Sequence, residues 1–129
     1  MRDLLDRISY VTLFVTDQDK ALDFYTNKLG FELRVDNPVS PKGPRFLVVG
    51  LKGQPLQVTL WPGSKGASAS APGYLPGAIF VESPDVEAAF AALKGKGVAF
   101  EEIRPAHMPY GTYITALDPD GNRISIRGN

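Results

Sequence analysis

The chain carries a single histidine, His107, within Arg104-Pro-Ala-His-Met-Pro-Tyr110. An imidazole titrates near neutral pH and moves a proton in either direction. Paired with Tyr110, Tyr113 or Glu82, it would make the metal-free acid–base centre of an isomerase or lyase. The competing reading is a surface loop histidine with no chemical task. The rest of the reactive inventory is thin. The absence of cysteine removes thiolate chemistry and disulfides. No glycine-rich phosphate cradle precedes a helix, and no Ser/His/Asp set is recognisable.

The elements that must position these groups are legible from pattern. Ile8 to Val15 is β-branched and aromatic and reads as a strand. Thr16 or Asp17 caps the helix that follows, where Leu22, Tyr25 and Leu29 recur at helical spacing and Gly30 supplies the stop. That register assigns Tyr25 to the core. Phe31–Val35, Arg45–Gly50 and Leu56–Trp61 read as strands. A second copy of the pattern begins with Ala78–Glu82, continues through a helix capped by Ser83 with Pro84 at its first position, and ends with Val98–Ile103, Gly111–Leu117 and Arg123–Arg127. A shift of 67 residues lays Thr16 on Ser83, Gly30 on Gly97 and Phe31 on Val98. A repeat of this kind fixes architecture. The expectation is one α+β domain over residues 1–129, with module one at 1–61, a small turn-rich linker at 62–73 and module two at 74–129. Each module is a βαβββ unit, and the two curl a mixed sheet around a concave pocket.

Alternation along the strands divides every one into two faces. Val11, Leu13 and Val15 oppose Tyr10, Thr12 and Phe14; Val58 and Leu60 oppose Gln57, Thr59 and Trp61. Ile79 and Val81 oppose Ala78, Phe80 and Glu82, and Ile124 and Ile126 oppose Arg123, Ser125 and Arg127. The aliphatic faces should pack on the helices. The mixed faces should line the hollow, with Tyr10, Phe14, Trp61, Phe80 and Tyr110 giving stacking area and Gln57, Thr59 and Ser125 giving directional hydrogen bonds. A solvent-facing or subunit-facing sheet is the plainer alternative. So much aromatic surface on an open sheet is itself a mark of a binding site or an interface. Glu82 and Arg123 are expected to pair across the sheet, since a lone charge facing a cavity is costly. Otherwise Arg123 would meet an anionic group of a ligand.

Bulk properties narrow the partners. With 14 basic and 14 acidic side chains the net charge is zero, which disfavours nucleic acid and favours self-association. No stretch approaches the roughly 20 apolar residues of a membrane span. The charged start Met-Arg-Asp-Leu-Leu-Asp-Arg is unlike a signal peptide, so a cytoplasmic protein is expected.

Two segments, Val15-Thr-Asp-Gln-Asp-Lys-Ala-Leu-Asp-Phe-Tyr-Thr-Asn-Lys-Leu-Gly-Phe31 and Leu117-Asp-Pro-Asp-Gly-Asn-Arg-Ile-Ser-Ile126, resemble the vicinal oxygen chelate superfamily. It contains glyoxalase I, extradiol dioxygenases, fosfomycin-modifying enzymes and bleomycin-resistance proteins. The resemblance implies paired βαβββ modules and a homodimer. It also implies that metal ligands, where present, come from inner strand faces, at Tyr10, Gln57, Ala78 (or Gly77) and Ser125 here. A catalytic divalent metal wants about three His or carboxylate ligands. A phenol, an amide and a hydroxyl do not supply them, so no metal and no cofactor are expected. The leading functional reading is metal-independent capture of a small neutral or anionic, aromatic molecule. The alternatives are the His107 enzyme, metal-dependent lyase or dioxygenase chemistry, and a scaffold whose aromatic face meets another protein.

Overall fold

A computed structural model of the chain describes residues 4–64, 77–109 and 111–128. The first half runs β1 (Tyr10–Val15), α1 (Gln18–Asp23), β2 (Glu32–Pro38), β3 (Arg45–Gly50) and β4 (Gln57–Pro62). The second runs β5 (Ile79–Glu82), α2 (Val86–Gly95), β6 (Ala99–Phe100), β7 (Ala106–Met108), β8 (Gly111–Leu117) and β9 (Arg123–Gly128). The strands form two mixed sheets, ordered β1-β4-β3-β2 and β5-β9-β8-β6, with β7 paired to β8. In each, the first strand lies parallel to the last and the remaining pairs are antiparallel. The repeat in the sequence is therefore a repeat in topology. The expected linker falls, from residue 65 on, outside the described residues.

One core joins the halves. Leu13, Val15, Val58 and Leu60 of the first sheet and Ile114, Ala116, Ile124 and Ile126 of the second are buried in a single cluster with Phe24, Tyr25 and Val86 of the helices. Helix α1 takes an unusual course to reach it. After Asp23 it widens into a π-helical turn, Phe24–Lys28, closed by the Leu29 amide donating to the Phe24 carbonyl at 3.0 Å. The wider turn lets two adjacent aromatics, Phe24 and Tyr25, both face inward; they are 4% and 0% exposed.

One local alternative is resolved and two expectations are corrected. Asp17 caps α1, accepting from the Asp19 and Lys20 amides, while Thr16 bonds elsewhere. Asp85, not Ser83, caps α2, because its carboxylate accepts from the Ala88 amide at 3.0 Å; Ser83 instead accepts from the Asp85 amide. The strand expected over Val98–Ile103 shrinks to Ala99–Phe100. Beyond it the Glu102 carboxylate takes over the ladder, accepting from the Thr115 amide at 2.6 Å and the Thr115 hydroxyl at 2.8 Å.

The Asp118–Asn122 turn clasps the halves together. Asp118 Oδ1 accepts from the Asp120 and Asn122 amides, and Oδ2 from Asn122 Nδ2 and the Tyr25 hydroxyl, both at 2.8 Å. Asn122 Nδ2 also donates to the Phe14 carbonyl at 3.1 Å. Asp120 Oδ1 accepts from the Thr16 amide and hydroxyl. One of the two characteristic sequence segments is thus an interdomain-style tether between duplicated halves. Gly121, at φ 80°, gives the turn its left-handed residue.

Candidate ligand-binding faces

On the first sheet the strand registers bring Tyr10, Thr12 and Phe14 of β1 beside Gln57, Thr59 and Trp61 of β4. Val48 of β3 continues the middle row next to Thr59. Here Phe46 joins them, a residue the sequence reading left out of the site. The Tyr10 and Phe46 rings meet edge to face at 5.9 Å, 62° between planes. Val48 is fully buried although it lies outside the principal core cluster. A second, small apolar layer therefore exists on this face. Tyr10 and Phe46 keep 45% and 36% exposure, Phe14 keeps 36%, Trp61 and Gln57 are half-buried, and Thr59 is buried. The signal for Phe46 was available: it alternates with Leu47 and so shares a face with Val48.

The second sheet repeats the frame with different chemistry. Phe80 of β5 stands opposite Ser125 of β9, which stands opposite Thr115 of β8. Phe80 is 56% exposed, whereas Ser125 and Thr115 are buried and engaged. Ser125 Oγ accepts from the Gly77 amide at 2.9 Å. The expected Glu82–Arg123 pair does not form. Arg123 is buried and grips Glu101 through both Nε (2.7 Å) and Nη2 (2.9 Å). Glu101 reaches it because its amide donates to the Thr115 carbonyl, extending the line of β6 by one residue. A two-pronged guanidinium–carboxylate pair is the arrangement that best offsets burial of both charges.

His107 lies elsewhere. It pairs in register with Thr112, on the face of β8 opposite Tyr113 and Thr115. Its Nε2 is 3.1 Å from Glu87 of α2 and its Nδ1 is 2.9 Å from Thr112 Oγ1. The candidate catalytic histidine is thus on the helix side of the second sheet, away from the face that carries Phe80 and Ser125. Tyr110 falls outside the described residues.

The positions that the family resemblance marks for metal do not assemble a chelate. Tyr10 and Gln57 are register partners, offering a phenol and an amide. Gly77 has no side chain, and a Cβ there would collide with the Arg123 carbonyl and Ser125 Oγ. Ser125 faces Phe80. Among the described residues no three His, Cys, Asp or Glu side chains come together as metal ligands. The donor set does not fit a divalent catalytic ion.

A duplicated βαβββ frame with the Asp118–Asn122 clasp narrows the ancestry, and comparison settles it. Residues 7–126 match the family model described as the Glyoxalase/Bleomycin resistance protein/Dioxygenase superfamily. The chain belongs to that superfamily. A superfamily member from Sphaerobacter thermophilus DSM 20745 is 32% identical, with a TM-score of 0.79 over 98% of this chain and 99% of that one. TnmS3, an antibiotic binding protein from Streptomyces sp. CB03234, is 31% identical, with a TM-score of 0.79 over 98% of both chains. YetH of Bacillus subtilis (strain 168), an uncharacterised protein, is 30% identical across 96% of this chain and 99% of its own length. Among the described residues no helix is long and apolar enough to cross a membrane.

Proposed function

We propose that this superfamily member captures a small aromatic molecule on its first sheet and releases it chemically unchanged. The observation that carries this reading is the partly exposed layer of Tyr10, Phe14, Phe46 and Trp61 on the face of the first sheet turned away from the core. Offset and edge-on ring contacts suit a flat ligand, and Gln57 at the margin offers both a donor and an acceptor. The likeness to TnmS3, described as an antibiotic binding protein, supports capture. Enzymatic acid–base chemistry has no support of this kind, because His107 faces α2.

The reading includes a homodimer in the cytoplasm. Zero net charge and the exposed Phe80 and Leu56 support self-association, and a chain without cysteine suits a reducing compartment. Light scattering on a sizing column should give twice the 14.0 kDa chain mass.

The test is a panel of polycyclic aromatic compounds, antibiotics included, read by Trp61 fluorescence and by melting temperature. Capture predicts a saturable signal and quantitative recovery of the compound by mass spectrometry. Conversion of the bound compound to a product, or no saturable binding across the panel, defeats it.

A further inference from the structure

Buried polar side chains in this chain are bonded, with one exception. Thr115 donates to Glu102 at 2.8 Å, Ser125 accepts from the Gly77 amide at 2.9 Å and Arg123 grips Glu101. Asp118, Asp120 and Asn122 bond one another, Tyr25 and Thr16 in the clasp. The exception is Thr59, only 7% exposed: among the described residues its hydroxyl has no hydrogen-bond partner. Among the same residues the fully enclosed atom left without a partner is Asn122 Oδ1, inside the clasp; the Thr59 oxygen is not so enclosed. Thr59 lies in the middle of the ring-bearing face, between Gln57 and Trp61 along β4. Its register partners are Thr12 on β1 and Val48 on β3. The Tyr10 and Phe46 rings that meet at 5.9 Å belong to that same face.

The structure assigns Thr59 as the polar anchor of the ring layer: its hydroxyl bonds an oxygen, hydroxyl or carbonyl, carried by the aromatic guest. The inference rests on the capture reading and names the guest's chemistry, an oxygenated aromatic bound with its oxygen toward β4 rather than a bare hydrocarbon. A hydroxyl drawn out of water without a partner is unfavourable. A guest oxygen removes that cost, and a hydrocarbon of the same shape seals it in, which is how a site with a hydrogen-bonding group rejects the analogue that lacks one. A threonine hydroxyl donates and accepts, so it serves a phenol or a carbonyl alike. The neighbours do not compete for this task. Thr12 is exposed and Gln57 half-buried, so both keep water, and Val48 offers no polar atom. Packing does not call for the hydroxyl either, since valine has the same branched shape.

The experiment compares 2-naphthol with 2-methylnaphthalene, alike in shape and differing in the oxygen, by calorimetry on the intact protein. The expected result is a preference of about fivefold or more for the naphthol. Thr59→Val removes the preference by weakening naphthol alone, and methylnaphthalene binds as well or better; Thr59→Ser keeps part of the preference. The free protein supplies an independent readout. Thr59→Val breaks no bond there, so its melting temperature holds or rises, whereas a threonine bonded within the fold would lose stability. Equal wild-type affinities, a preference that survives Thr59→Val, or a Thr59→Val protein that melts lower or fails to fold overturns the anchor and leaves capture standing. Failure of both probes to bind overturns the anchor together with the reading beneath it.

Discussion

The two mixed sheet faces share a topology and almost nothing else. The first is a layer of rings over Thr59 and Val48, with no charged side chain from β1 or β4. The second is knitted by carboxylates: Glu101 on Arg123, Glu102 on Thr115. The same strand order occurs twice, but the side chains make one copy an open layer of rings and the other a surface that mostly holds itself. The difference teaches that a fold repeat constrains backbone pairing far more tightly than it constrains the face opposite the core.

That contrast breaks most visibly at Arg123. Arg123→Ala leaves Glu101 without its buried partner and should cost about 3 kcal/mol in urea unfolding. A loss below 1 kcal/mol would mean that the second face is not self-supporting. On the first face the order of effects reverses. Tyr10→Ala and Trp61→Ala should each cost about 1 kcal/mol of stability at most, and lower the affinity for an aromatic ligand by about tenfold or more. Comparable stability losses at Arg123 and Tyr10 would erase the distinction.

The clasp between the halves sharpens it through pH. Burial, and then the Asp118 carboxylate, push the Tyr25 phenol well above its ordinary 10.0. Above that value the unfolded chain releases this proton while the folded chain keeps it. Stability should therefore fall as pH rises past 10.0, by about 1.4 kcal/mol per unit from this residue. Tyr25→Phe loses about 1 kcal/mol at neutral pH and flattens the alkaline decline by one proton, measured by urea unfolding along a pH series. An unchanged slope would sever Tyr25 from the clasp. The smallest effect belongs to His107. Its contact with Glu87 joins two mostly exposed side chains, so His107→Ala should shift the melting point by less than about 2 °C and leave ligand affinity untouched.

Most strand segments, the buried Tyr25 and the aromatic first face were readable in the sequence because each rests on a period: two for strands, near 3.6 for helices. Phe46 stands outside the expected set although its alternation with Leu47 puts it on the face of Val48. The Arg123 partner escaped for a different reason. Glu82 and Arg123 share a face in any alternation scheme, but the partner depends on where β6 stops, and that depends on a side chain, Glu102, standing in for backbone. The helix caps moved by similar logic: Asp85 outcompetes Ser83 because an ionised oxygen is the stronger acceptor for an amide at a helix start. His107 reads as a loop residue by composition, yet it lies in β7, paired with Thr112, and no sequence period marked so short a strand or the face its side chain takes.

The Glu102 carboxylate has one more effect. Between the short strands β6 and β7, the margin of β8 would otherwise present a bare amide at Thr115 to passing chains. Occupied by a charged oxygen, that gap offers no free amide to a foreign strand, so the residue that stands in for the end of β6 also closes this stretch of the border to strand addition.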